Sequence, residues 1–174
     1  MNACTHGGVE LEDKFECHRC GKEFVTTTGK KGYFCGDCQR ECEKELKQYS
    51  SELKQRLRRM GEELGFKTQT EFPHARSRID LVWYMENDTL KERKVDKVIV
   101  AGFEIETSWR TRKHIRADIV NLRLLGAGMV VLFLPKKSFE FSGSTEESRL
   151  ALRDYAKETA SLLGMSNFYV WEEM

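Results

Sequence analysis

The cysteines of this chain constrain its fold more than any other feature, because all six lie before residue 43. Four of them form two Cys-x-x-Cys pairs, Cys17/Cys20 and Cys35/Cys38, with fourteen residues between the pairs. Each pair fits a tight turn that aims both sulfurs at one point, so the two pairs can surround one Zn²⁺ tetrahedrally. Four protein sulfurs leave no open coordination position, so the predicted zinc is structural. A redox dithiol is the alternative that spacing and clustering disfavour.

The sequence between the pairs, "GKEFVTTTGKKGYF", predicts a β-hairpin whose turn is "TGKKG". The second pair runs directly into a helical pattern. We call each Cys-x-x-Cys turn a knuckle. The order of a knuckle, a hairpin and a second knuckle that opens a helix resembles a zinc ribbon or a treble clef. We therefore predict a zinc-binding module over residues 1–42, in which the metal contributes ~10–16 kcal/mol in place of an apolar core. Cys4, His6 and Cys42 are not assigned.

The bulk composition predicts a soluble, cytoplasmic protein. Its 29 basic and 28 acidic residues leave a net charge of +1, which argues against a nonspecific basic coat for nucleic acid. No apolar run approaches the ~20 residues that cross a bilayer, so no membrane partner is expected. The N-terminus, "MNACTHGGVELEDK", lacks the pattern of a signal peptide. Cysteines of such a protein stay reduced and are more often metal ligands than disulfides.

A long amphipathic helix is predicted to link this module to the rest of the chain. Over residues 39–64, apolar side chains recur at steps of three and four, and Gly65 ends the pattern. The stripe consists of Leu46, Tyr49, Leu53, Leu57, Met60 and Leu64. We expect its second half to pack on the main core. A coiled-coil dimer through the same stripe is the alternative.

Residues 43–174 predict an α/β domain. Alternating patterns predict strands over 66–72, 78–85 and 95–107, followed by a helix from about residue 111. The wholly apolar "MVVLFLP" predicts a central strand. The capping-box pattern Ser144-x-x-Glu147 predicts a last helix, and "NFYVWEE" a final strand. The predicted architecture is a mixed central sheet flanked by helices, in the order α-β-β-β-α-β and then α-β.

Three acids lie on predicted strands of this sheet. Glu104 and Glu106 are two positions apart and therefore share a face. Asp80 lies on the face opposite the apolar residues of its strand, which are Ile79, Leu81 and Trp83. Adjacent carboxylates repel each other and are costly to desolvate, but Mg²⁺ or Mn²⁺ would neutralise them through hard oxygen ligands. The sequence therefore predicts a divalent cation among these acids, provided that their strands pair.

Over roughly residues 50–135, the chain resembles the PD-(D/E)xK nuclease superfamily, which has the restriction-endonuclease-like fold. The resemblance lies in the αβββαβ order, in "RID" with Asp80, and in "FEIE" with Glu104 and Glu106. It implies a Mg²⁺-dependent endodeoxyribonuclease in which Asp80 and Glu104 bind the metal. The family most often has lysine where this chain has Glu106, although some restriction enzymes have glutamate there, and it has proline where this chain has Ile79.

The resemblance also implies roles for residues outside the two motifs. Glu106 is the candidate for orienting or deprotonating the attacking water, so the catalytic set is Asp80, Glu104 and Glu106. A helix glutamate often joins the metal site, and Glu63 is the candidate here, with Glu62 as the alternative. Lys113 is the candidate for a relocated lysine.

Cations flank the acids and predict contacts with the phosphates of DNA. Some stand before Asp80, and the others follow Glu106 near the start of a helix, where the dipole also favours anions. They are Arg76, Arg78, Arg110, Arg112, Lys113 and Arg116. Restriction-type cleavage, often by a homodimer, and Holliday junction resolution are equally compatible with the fold. The other alternative is a non-catalytic nucleic-acid-binding protein, in which Glu106 in place of lysine marks lost activity.

Overall fold

The computed structural model describes residues 13–26, 34–75, 77–87, 96–107, 112–140 and 145–172. The chain divides into two compact units, Met1–Glu43 and Lys44–Met174, which we call the N-terminal and C-terminal units. None of the helices in the described ranges has the length and hydropathy that crossing a membrane requires.

The described part of the N-terminal unit contains an antiparallel pair of strands, β1 (Asp13–Glu16) and β2 (Glu23–Thr26), and the start of helix α1 (Gly36–Glu63). The strand at β2 was predicted, but here it pairs with a strand that precedes the first cysteine pair. The turn between the two strands is therefore the Cys17–Cys20 knuckle itself. The predicted turn at residues 28–32 lies outside the described residues.

The C-terminal unit is a five-stranded mixed sheet with helices. Its strands are β3 (Lys67–His74), β4 (Ser77–Glu86), β5 (Lys97–Ile105), β6 (Met129–Leu134) and β7 (Phe168–Glu172), in that spatial order. The first three are antiparallel, whereas β5, β6 and β7 run parallel. The helices are α2 (Arg112–Leu125), α3 (Lys136–Glu140) and α4 (Glu146–Leu162). The mixed α/β class and the order of elements are as predicted, except that α3 was not foreseen.

Two local features differ from the predicted element boundaries. The N-cap of α4 is Thr145, whose hydroxyl accepts a hydrogen bond from the Ser148 backbone N–H, one position later than the predicted capping box. Pro73 was expected in a turn but lies within β3. Because β3 is an edge strand, the missing N–H of proline is tolerated there.

The two faces of the sheet carry separate parts of the core. Beneath α1, Leu57 packs on an apolar cluster of β4, β5 and β6. The helix comes close enough for the Trp83 Nε1–H to donate to the Leu57 carbonyl at 3.1 Å. Gly61 permits this approach, because a Cβ there would lie 2.7 Å from Trp83 Nε1. On the opposite face, α2 and α4 pack on β6 through Ile119 and Ala160.

The structure corrects the predicted facing of one β4 residue. Ile79 was expected to share a face with Leu81 and Trp83, but it packs with Val82 on the α2 side. Leu81 and Trp83 lie on the α1 side as expected. On the neighbouring strand β3, Glu71 lies between the two residues that pair with Leu81 and Ile79. It has a φ of 49°, a left-handed conformation that interrupts the regular pleat.

Two candidate metal sites

The first candidate site is the cluster of Cys17, Cys20, Cys35 and Cys38. Their sulfurs all lie within 4.8 Å of one another, and the Cys20 and Cys35 sulfurs are 3.8 Å apart. A tetrahedral zinc with Zn–S bonds of ~2.3 Å separates its sulfurs by about 3.8 Å. The cluster could therefore hold a metal ion such as zinc, as the sequence predicted.

Backbone hydrogen bonds shape the first knuckle of this cluster. The Gly21 N–H donates to the Cys17 carbonyl at 2.8 Å, and the Cys17 N–H donates to the Lys22 carbonyl at 2.9 Å. Gly21 has a φ of 70°, a conformation that glycine adopts without strain. The second pair opens α1, because the Gln39 N–H donates to the Cys35 carbonyl at 2.9 Å.

The thiols of the cluster ionise unequally. Burial opposes ionisation of Cys17, but hydrogen bonds with the backbone of Cys35, Cys20 and Arg19 outweigh it and lower the pKa of Cys17 to about 6. Burial, together with the neighbouring thiols, raises the pKa of Cys38. Metal binding by the cluster would therefore release the Cys38 proton.

The fifth described thiol has a different partner. Cys42 is buried one turn after Cys38 on α1, and the Arg19 guanidinium donates to its sulfur at 3.2 Å. It is not among the four cysteines whose sulfurs converge. Cys4 and His6 lie outside the described residues.

The second candidate site begins with two acids on neighbouring strands, Asp80 of β4 and Glu104 of β5. The Ile105 N–H donates to Asp80 Oδ2 at 2.8 Å, and the Asp80 N–H donates to Glu104 Oε2 at 3.4 Å. These reciprocal contacts hold both carboxylates at the junction of the strands. Glu104 is only 6% exposed, and its Oε1 has no hydrogen-bond partner among the described residues.

Two further carboxylates extend this pair into a network, in which Asp118 interacts with Glu104 and Glu106 interacts with Asp118. Glu106 lies just after β5, where its N–H continues the ladder by donating to the Phe133 carbonyl at 3.0 Å. Asp118 comes from α2. Burial and the charges of Asp118 and Asp80 raise the pKa of Glu104 to about 9, although the hydrogen bond from the Asp80 backbone N–H acts in the opposite direction. Burial, followed by the charge of Glu106 and a hydrogen bond with it, raises the pKa of Asp118 to about 8.

Lys54 of α1 brings a cation to this acidic cluster. Its Nζ lies 2.6 Å from Asp80 Oδ1 and 2.7 Å from Glu71 Oε1. Partial burial alone would lower the pKa of Lys54, but hydrogen bonds with the two carboxylates and their charges raise it above its ordinary value. Lys54 therefore stays protonated and compensates Asp80, whereas no side chain of the described residues donates a hydrogen bond to Glu104 Oε1.

Sequence reasoning missed Lys54 and Asp118, although each carries a signal. Lys54 stands three residues before Leu57, on the helix face that packs against the sheet. Asp118 stands three residues after Ile115, on the buried face of α2. A charged residue inside an apolar helical stripe needs a partner, so both were candidates for a polar site.

The other predicted site residues are more scattered. Glu63 is exposed at the end of α1, and no described contact joins it to the acids. Glu62, its alternative, accepts from Arg58 at 3.1 Å and from Thr68 at 3.3 Å. The Arg112 guanidinium lies over the Tyr155 ring at 5.2 Å. Arg78, Lys113 and Arg116 are exposed, and Arg76 and Arg110 lie outside the described residues.

The two sites suit different chemistry. Four soft sulfurs favour zinc and enclose it completely, whereas carboxylate oxygens favour Mg²⁺ or Mn²⁺ and leave positions for water or phosphate. Comparisons with models of protein families, with curated proteins and with solved structures gave no significant match.

Proposed function

We propose that the C-terminal unit is a metal-dependent endonuclease that hydrolyses phosphodiester bonds in DNA. The observation that carries this proposal is the buried Oε1 of Glu104, which has no hydrogen-bond partner among the described residues although the charges of Asp80 and Asp118 act on this carboxyl group. Such an oxygen is costly to bury unless it is protonated or bound to a cation. Because all the donors are hard oxygens, the site fits Mg²⁺ or Mn²⁺ better than a softer metal.

Each residue of the acidic cluster has a proposed role. Asp80 and Glu104 hold the divalent cation, and Asp118 supplies a further carboxylate from α2. When bound, the ion polarises the scissile phosphate and lowers the pKa of a water molecule. Glu106, which is less buried than Glu104, accepts the proton of the attacking water. Lys54 keeps Asp80 oriented through its ion pair and adds a positive charge for the phosphate.

The surroundings of the cluster suit a phosphate backbone. Arg78 of β4 and Lys113 and Arg116 of α2 are exposed on the elements that carry Asp80 and Asp118. Exposed cations at these positions can neutralise phosphates without desolvation. The resemblance to the PD-(D/E)xK superfamily supports the same substrate class. For the N-terminal unit, we propose that the cysteine cluster holds a structural zinc.

The test is cleavage of supercoiled plasmid and of a synthetic four-way junction with Mg²⁺, Mn²⁺ or EDTA. We expect metal-dependent cutting that falls on the order of 100-fold or more in Glu104→Gln, because the substitution removes a charge that the reaction requires. Glu63→Gln is the matched control, since this glutamate is exposed and its substitution should leave cutting unchanged. Preference for the junction would indicate a resolvase, and preference for plasmid a restriction-type enzyme.

A non-catalytic nucleic-acid-binding protein is the second candidate. It is favoured by Lys54, whose Nζ already compensates Asp80 at 2.6 Å without any metal. On this alternative, the wild-type protein cuts neither substrate with either metal, and it binds DNA equally well in EDTA. That result would refute the nuclease proposal.

A further inference from the structure

The two faces of the five-stranded sheet are covered unequally. On one face, both α2 and α4 contribute buried side chains to the core. On the other, α1 is the only helix that does so among the described residues, and Gly61 places it against Trp83 of β4 and Thr68 of β3. Five strands span about 19 Å, whereas a helix is only ~10 Å wide. Among the elements that the structure describes, one helix therefore leaves about half of this face uncovered.

The open half forms an apolar groove of about 900 Å³ next to α1, which we call the β6–β7 groove. Its floor is formed by strand residues, namely Phe103, Val131, Phe133, Tyr169 and Trp171. Trp171 packs on Phe133 with ring centroids 6.0 Å apart, yet it remains 59% exposed. The volume corresponds to about two turns of an α-helix with its side chains.

Charged residues from α1, α3 and β7 border this groove. Arg56 of α1 and Lys136 of α3 line it, and neither makes a hydrogen bond or ion pair with another residue in the described ranges. The acid Glu172 is already paired with Arg149 and Arg153, at 3.5 and 3.6 Å. The second bordering acid, Glu140, is outnumbered by Arg56 and Lys136. The rim is therefore net positive around an aromatic floor.

We propose that the β6–β7 groove binds an amphipathic helix of a partner protein, whose apolar face is flanked by acidic residues. The groove has the volume of about two helical turns, the floor supplies large aromatic side chains, and the rim supplies cations for acidic flanks. Trp171 is the expected anchor, because exposed tryptophans in such grooves contribute most to binding. The groove is separate from the acidic cluster, because no carboxylate of that cluster is among the residues that line the groove.

Neither α1 nor α2 of a second copy matches this groove. The outward side of α1 exposes charged residues such as Glu52, Arg59 and Glu63. On α2 the exposed apolar pair, Val120 and Leu124, lies beside exposed arginines and would bring cations to a positive rim. An acidic helix from another protein fits the charge better.

The test uses the full zinc-loaded chain and two synthetic 18-residue helical peptides as probes. Both carry the same leucine face, and one has glutamates on both flanks where the other has lysines. Fluorescence anisotropy should show that the glutamate peptide binds at least tenfold more tightly. Trp171→Ala should weaken it at least tenfold, whereas Leu162→Ala, which removes an 82% exposed leucine outside the groove, should not. Thermal unfolding checks that both variants are folded.

Charge reversal sharpens the result. In the double variant Arg56→Glu with Lys136→Glu, the preference should invert toward the lysine peptide. Equal binding of both peptides, binding of neither, or equal loss in Trp171→Ala and Leu162→Ala would overturn the proposal. So would a dimer in sedimentation equilibrium that Trp171→Ala dissociates, because the occupant would then be a second copy.

Discussion

The cysteine cluster brings four sulfurs within 4.8 Å of one another, whereas the acidic cluster is a network of interacting carboxylates, and the chain supports the two in opposite ways. In the described part of the N-terminal unit, the buried residues are Cys17, Cys38 and Cys42, so that part has almost no apolar core. The acids lie instead in a unit with three buried apolar clusters. A metal held by the four cysteines would therefore take the place of a core in that part of the chain. In the other, the core holds repelling charges together.

The largest expected effect comes from removing the metal of the cysteine cluster. In Cys20→Ser, the N-terminal unit should lose its bound zinc and its folded structure, because structural zinc contributes ~10–16 kcal/mol in such modules. Metal content by atomic emission and amide NMR signals of residues 13–43 measure this. Cys42→Ser is the control, since this buried thiol lies outside the cluster and zinc should be retained. Equal zinc loss in both variants would show that the assigned ligand set is wrong.

The next effect is smaller and is a gain in stability: removing a charge from the acidic cluster should raise the free energy of unfolding at alkaline pH. The pKa values of Glu104 and Asp118 are raised to about 9 and about 8, above the ~4 of an unfolded chain. Between the pKa values of the unfolded and the folded state, the folded protein therefore binds more protons than the unfolded chain. Without metal, the free energy of unfolding should fall as pH rises from about 4 to about 9, and stay unaffected by these groups below about pH 4.

Urea unfolding in EDTA across this pH range checks the slope. Glu104→Gln should flatten it and stabilise the protein at pH 8, whereas Glu140→Gln, a change at an exposed glutamate, should leave it unchanged. Adding Mg²⁺ should stabilise the wild type at pH 8 but not Glu104→Gln. A wild-type slope identical to that of Glu104→Gln would mean that Glu104 is not held in a strained, buried state.

The smallest effect concerns Lys54. Lys54→Met removes the cation of Asp80 and Glu71, so the metal-free protein should lose about 1–3 kcal/mol of unfolding free energy. Arg58→Gln breaks the exposed pair with Glu62 on the same helix and should cost about 0.5 kcal/mol or less. Chemical denaturation of the two variants compares them directly. A loss for Lys54→Met no greater than that for Arg58→Gln would show that Asp80 does not depend on this lysine.

Sequence patterns predicted most of the elements because periodicity and caps act locally. The sheet strands and the long helix differ from their predicted bounds by a few residues at most. The cluster of cysteines also followed from spacing, since two short knuckles bring four sulfurs together with little help from the rest of the fold. The partner of β2 was missed, because a four-residue strand before the first cysteine carries little periodic signal.

The sequence by itself determined the ligand types, the α/β class and the order of the elements, because these depend on residues near each other in the chain. Only the tertiary structure decided that Lys54 compensates Asp80, that Asp118 joins the acids, and that Ile79 turns to the α2 side. It alone also revealed the half-covered sheet face. Contacts between distant segments depend on how helices lie across a sheet, and a local pattern does not specify that arrangement.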